Sequence, residues 1–154
     1  MEKHITVIKG DGIGPEIVNE AIKVLERIAE KYHHTFHYQE VLAGGCAIDA
    51  YGTSLTDEVL QACIDSDSVL LGAVGGPKWD QVDPSIRPEK ALLGIRKGMG
   101  LYANLRPASI LKQLAHTSPL RKDIVDQGID FMVVRELISG VYFGDKKTYE
   151  ENNE

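Results

Sequence analysis

The chain has 154 residues, a formal net charge of −6, 43% hydrophobic and 26% charged residues. That composition suits a globular domain with a real core, and a net-acidic chain argues against nucleic acid or an anionic membrane surface as its main partner. No apolar run approaches bilayer-spanning length, and the two cysteines, Cys46 and Cys63, give neither a disulfide framework nor a metal-ligand spacing.

In chain order, residues 4–9 (HITVIK) predict a strand that begins directly after the first residues, with no apolar leader. The expected home is therefore the cytoplasm. A glycine loop, Gly10-x-Gly12-x-Gly14, follows, and Pro15 suits the first turn of a helix. Ile17, Val18, Ala21, Ile22, Leu25, Ile28 and Ala29 recur at helical spacing, which predicts an amphipathic helix over 15–31. Residues 35–42 read as a second strand. Thr56 is a good N-cap, with Asp57 and Glu58 at the positive end of the helix it starts.

Residues 68–74 (SVLLGAV) form a nearly continuous apolar run and predict a strand covered on both faces. Residues 89–97 predict a helix. Ser118-Pro119 is expected to open another, stopped by Gly128, and 130–137 (DFMVVREL) predicts a last strand. Strands alternating with helices indicate an α/β fold with a largely parallel or mixed sheet and flanking helices.

The glycine loop at 10–14 resembles a dinucleotide-binding turn, but the third glycine of that fingerprint falls on Pro15, and no ribose-binding acid follows at the expected distance. A tight strand-to-helix turn and a different kind of ligand loop both remain open. Gly75-Gly76-Pro77 ends an apolar strand, where backbone can approach a ligand closely. Trp79 either stacks on a ligand or simply packs.

Of the six arginines, Arg96 sits late on a predicted helix, Arg106 follows a strand-like run and Arg135 closes an apolar strand. A guanidinium holds a carboxylate with two hydrogen bonds, so these three are candidates for an anion clamp, against the alternative of surface ion pairs. Leu92 lies four residues before Arg96 and shares its helical face, which puts an apolar contact beside a cation. Tyr142, between glycines, is a candidate general acid or a packing residue. His33, His34 and His37 stand at a helix-to-strand junction without a carboxylate partner pattern and read as solvated.

Five segments then occur in order: 10–16 (GDGIGPE), 72–80 (GAVGGPKWD), 104–107 (NLRP), 134–137 (VREL) and 140–144 (GVYFG). Together they resemble the isocitrate/isopropylmalate dehydrogenase family along the whole chain. The resemblance implies that family's α/β fold, which is not the Rossmann fold, here truncated. It implies oxidation of a 2-hydroxy acid with NAD, followed by decarboxylation in the presence of Mg²⁺ or Mn²⁺. By position, Arg96, Arg106 and Arg135 match the carboxylate-binding arginines, Tyr142 the catalytic tyrosine, and Leu92 the residue that meets the variable group of the substrate. Ile13, Gly76, Pro77, Lys78, Trp79 and Glu89 match the border of NAD.

Isocitrate-type relatives carry a serine-containing motif where this chain has Ala91-Leu92-Leu93-Gly94. The leucine implies 3-isopropylmalate as the small-molecule substrate and 4-methyl-2-oxopentanoate, on the way to leucine, as the product. A tartrate- or malate-type enzyme is an alternative. Family members are about twice this length or more. The resemblance therefore puts the catalytic lysine and the metal-binding aspartates outside this chain, leaving no metal ligand within it. Residues 1–100 are expected to begin the cofactor-side domain and 101–154 to enter the second, with the complete enzyme a homodimer. The chain is then either an enzyme portion that is inactive alone, or a non-catalytic product or partner chain.

Overall fold

The computed structural model describes residues 1–137, 144 and 147–148. It divides into two compact units, Met1–Met99 and Gly100–Glu154. The first unit contains β1 (Glu2–Gly10), α1 (Gly14–Tyr32), β2 (Thr35–Glu40), α2 (Gly45–Tyr51), α3 (Asp57–Asp65), β3 (Ser68–Ala73) and α4 (Pro88–Gly98). The second contains β4 (Ala103–Ser109), α5 (Lys122–Val125) and β5 (Asp130–Glu136).

The first unit is built on a parallel sheet of order β2-β1-β3. As the central strand, β1 buries Ile5, Thr6, Val7 and Ile8 in succession. The alternation of side chains sends them to two cores. Ile5 and Val7 meet Val18, with Ile22 and Leu25 of α1 packed alongside. Ile8 faces the other way and packs with Val59 and Cys63 of α3 and Ala91 and Ile95 of α4. Thr6 is buried on that same side and donates its hydroxyl to the Ala62 carbonyl at 2.9 Å, so that hydroxyl is satisfied.

The amphipathic pattern yields α1 as predicted, with Pro15 in its first turn, Glu16 at its positive end and Lys31 at its negative end. His33 closes it in the left-handed region, donating its N–H to the Ala29 carbonyl. Thr56 caps α3 as expected, its hydroxyl accepting from the Val59 N–H at 3.3 Å. The glycine loop is a packing device. A Cβ on Gly10 would lie 2.0 Å from the Ala73 carbonyl oxygen, and one on Gly14 would lie 2.1 Å from that of Lys9. Bare backbone lets α1 begin hard against the β1–β3 pair.

Three expectations need correction. β3 is an edge of the described sheet, and its apolar residues are half-buried, not covered on both faces. The helix expected from Ser118 contracts to the four residues of α5, and Ser118-Pro119 lies outside it, although Gly128 does adopt a left-handed φ of 85°. Arg106 does not follow a strand but sits inside β4. The short helix α2 has no counterpart among the predicted elements.

In the second unit β4 and β5 form an antiparallel ribbon, registered from Ala103 opposite Glu136 to Ser109 opposite Asp130. Leu105, Phe131, Met132, Val133 and Val134 are exposed on it, so the apolar run that marked this strand does not enter a core here.

Candidate active site

Parallel strands bring the loops after β1, β2 and β3 to one edge of the sheet, the edge where open α/β sheets bind ligands. Asp11 organises that edge. Its side chain is buried, at 4% exposure. One oxygen, Oδ2, accepts from the backbone N–H of Gly45 at 2.7 Å and of Gly75 at 2.8 Å, and Oδ1 accepts from Cys46 N–H at 2.7 Å. Its own N–H donates to the Ala73 carbonyl at 2.6 Å. One carboxylate thus ties the β1 loop to the first turn of α2 and to the glycine loop after β3.

The charge has a local consequence. Burial pushes the Cys46 thiol up from its ordinary value, and the neighbouring Asp11 carboxylate pushes it further the same way.

The Gly75–Trp79 segment is laid onto α2. A Cβ on Gly45 would sit 2.5 Å from the Trp79 ring, so the indole lies directly on that helix's backbone. Asp49, on α2, accepts from Lys78 Nζ at 2.6 Å and from Trp79 Nε1 at 3.2 Å. The bond from Lys78, then that from Trp79, holds the Asp49 carboxyl below its usual range. Lys78 Nζ also stands 5.2 Å from the centre of the Trp79 ring. Gly76, Trp79 and Glu89, with Arg87, border one small pocket of about 90 Å³. Glu89 reaches the glycine loop from α4, where a Cβ on Gly75 would meet its Oε1 at 2.9 Å. Pro77 and Lys78 are exposed beside this pocket, and Ile13 is exposed at the N-terminus of α1 on the same sheet edge.

On α4, Ala91 and Ile95 are buried in the core, which fixes the helix's rotation. Glu89, Leu92 and Arg96, at i, i+3 and i+7, then form one stripe. Leu92 and Arg96 are both half-buried, whereas Leu93 is exposed. In the second unit, Arg135 on β5 pairs with Asn104 on β4, and Arg106 lies two residues on. Opposed residues and their i+2 neighbours share a face, so Asn104, Arg106 and Arg135 do too. Arg106 Nε donates to Asn104 Oδ1 at 2.8 Å. The sequence candidates are therefore gathered into a Glu89–Leu92–Arg96 stripe beside the Trp79 pocket and an Arg106–Arg135 pair on the ribbon. Tyr142 lies outside the described residues.

A profile of the isocitrate/isopropylmalate dehydrogenase family matches residues 4–154. The chain belongs to this family. The 3-isopropylmalate dehydrogenase of Helicobacter hepaticus is 58% identical over 154 residues, covering 100% of this chain and 43% of that protein. That of Clostridium pasteurianum is 57% identical over 151 residues, covering 98% of this chain and 42% of its own length. Among solved structures, a β-decarboxylating dehydrogenase from Thermococcus kodakarensis aligns with a TM-score of 0.66 at 30% identity, over 95% of this chain and 37% of that one. Isocitrate dehydrogenase from Methylococcus capsulatus aligns at 0.63 and 27%, over 99% and 40%. The chain thus spans less than half the length of these relatives and has the fold of isocitrate/isopropylmalate-type dehydrogenases.

The residues at the sheet edge do not fit a hard divalent cation. Such an ion needs several available oxygen ligands, while Asp11 is held by three amides and Asp49 by Lys78 and Trp79. The Gly76 backbone, the Trp79 ring and the Glu89 carboxylate surround one small opening. The sequence reading overlooked Asp11 and Asp49. An acidic residue placed between two glycines at the end of a buried strand was the available signal for the first.

Proposed function

We propose that this chain is the N-terminal part of a 3-isopropylmalate dehydrogenase, carrying its acid-recognising side and part of its NAD border. The reaction would be oxidation of 3-isopropylmalate at C2 and loss of the carboxylate on C3 as CO₂, giving 4-methyl-2-oxopentanoate for leucine synthesis. The observation that carries the reading is the α4 stripe, in which Leu92 and Arg96 lie one turn apart beside Glu89 and the Trp79 pocket. Arg96, Arg106 and Arg135 would hold the substrate's two carboxylates through paired N–H donors. Leu92 would face the isopropyl group, whose burial contributes about 1.5–3 kcal/mol. Against the same leucine, the extra carboxylate of isocitrate would lose water without gaining a partner, at a cost of several kcal/mol.

Ile13, Gly76, Pro77, Lys78, Trp79 and Glu89 would border NAD, which supplies the hydride acceptor. Tyr142 would protonate the carbon left by decarboxylation. The Mg²⁺ or Mn²⁺ ligands and the proton-abstracting lysine are assigned to the remainder of the enzyme, and the complete protein to a cytoplasmic homodimer. The isolated chain is accordingly inactive.

The test is complementation. The purified chain is mixed with the C-terminal remainder of the Helicobacter hepaticus enzyme, and NADH formation is followed with 3-isopropylmalate. The reading expects turnover only in the mixture. Turnover by the pure chain alone would overturn it.

A further inference from the structure

We propose that Glu2, His4 and His37 form a binding site for a borderline transition-metal ion of the Zn²⁺ type, at the opposite end of the sheet from Asp11. Glu2 and His4 are two residues apart on β1 and so share a face, and the parallel register sets His37 of β2 beside His4. The two imidazoles are stacked, with ring centres 4.7 Å apart and planes 19° from parallel. His37 Nε2 lies 2.7 Å from Glu2 Oε1. One ligand atom from each of the three residues falls within 4.8 Å of the others, and all three side chains are exposed.

Two imidazole nitrogens and one carboxylate oxygen are a donor set for zinc-like ions and a poor one for Mg²⁺. Bond lengths near 2.0–2.2 Å put tetrahedral ligand atoms about 3.3 Å apart. Small rotations of these exposed side chains would close the remaining gap. The strand end that presents them is already fixed, because His4 N–H donates to Asp67 Oδ2 at 2.8 Å. Asp67 also pairs with Lys3 at 2.7 Å. His4 and His37 border a recess of about 320 Å³ together with Asp65 and Ser66, which leaves room for water to complete the coordination. His37 thus has the carboxylate partner that its sequence context did not reveal. His34 is engaged elsewhere, its Nδ1 lying 3.3 Å from the N-terminal amine.

The test is calorimetric titration of the tag-free chain with Zn²⁺. One equivalent should bind. His4→Ala and His37→Ala should each weaken binding by more than about tenfold, since even the outer-shell partners of a metal ligand matter that much. A His33→Ala/His34→Ala double variant and Cys46→Ser should bind as the parent does. No binding, binding unchanged in a His4→Ala/His37→Ala double variant, or binding lost with Cys46→Ser would each overturn the proposal. In the unsubstituted chain, Co²⁺ should shift the imidazole signals of His4 and His37 selectively. An equal response from all five histidines, or none, would also overturn it.

Discussion

Asp11→Ala is the sharpest perturbation of the sheet edge. The substitution removes a buried carboxylate that accepts three backbone N–H groups at 2.7, 2.7 and 2.8 Å. Hydrogen bonds to a charged group are worth about 1.5–3 kcal/mol each, so a simple sum is about 4.5–9 kcal/mol. That sum overshoots, because the bonds share one side chain and the surroundings of Cys46 and Gly75 are only part-buried, so water can replace the lost acceptor there. Gly45 is buried, and its amide would be left without a partner. A loss of about 3–5 kcal/mol is expected. With a urea slope of about 2 kcal/mol/M, this moves the midpoint down by roughly 2 M, or abolishes the transition if the parent is marginal. Asp11→Asn keeps the shape and one good acceptor but turns an N–H toward an N–H, at a cost of about 2–3 kcal/mol. The assay is urea unfolding followed by circular dichroism at constant slope. A midpoint within about 0.3 M of the parent for Asp11→Ala would refute the reasoning.

Other consequences are separable. Cys46 should alkylate more slowly at neutral pH than an unhindered cysteine, because its raised pKa keeps the thiol protonated, and Asp11→Asn should speed the reaction. The folded state holds that proton more tightly than the unfolded chain. Its contribution to stability is therefore present below the ordinary thiol value and lost as pH rises through the folded one. Peptide mapping after pulse alkylation across a pH series checks this. Leu92→Ser in a complete enzyme should lower kcat/KM for 3-isopropylmalate by about 10–100-fold, measured from initial rates.

What could be read from the sequence follows from which signals are local. The helix α1 was legible because its apolar residues repeat at helical spacing from Ile17 to Ala29, more than three turns, and Pro15 marks its start. Thr56 was legible because its cap is a short-range bond. The helix α2 was not, since its seven residues follow Gly44, which takes a positive φ of 95° open to glycine and offers no side-chain cap. It is held instead by Asp11, 34 residues away from Gly45 along the chain. β4 was obscured by Pro107 in mid-strand, which the ribbon tolerates opposite Met132. For the site, Leu92 and Arg96 could be paired from helical spacing alone. That Arg106 and Arg135 share a face required the strand register, which no local pattern fixes. His37 looked solvated for the same reason, as Glu2 and His4 reach it only through the parallel pairing of β1 and β2.

The central claim is the proposal that Leu92 and Arg96 on α4, and Arg106 and Arg135 on the β4–β5 ribbon, serve the acid-recognising side of a 3-isopropylmalate dehydrogenase. It is tested most directly in a chimera that joins this chain to the remainder of the Helicobacter hepaticus enzyme in one polypeptide, assayed for NADH formation. The account predicts oxidation of 3-isopropylmalate in preference to isocitrate, with Arg96→Gln, Arg106→Gln and Arg135→Gln each lowering kcat/KM by about 100-fold or more. A folded chimera that favours isocitrate, or arginine variants that keep the parental kcat/KM, would contradict it.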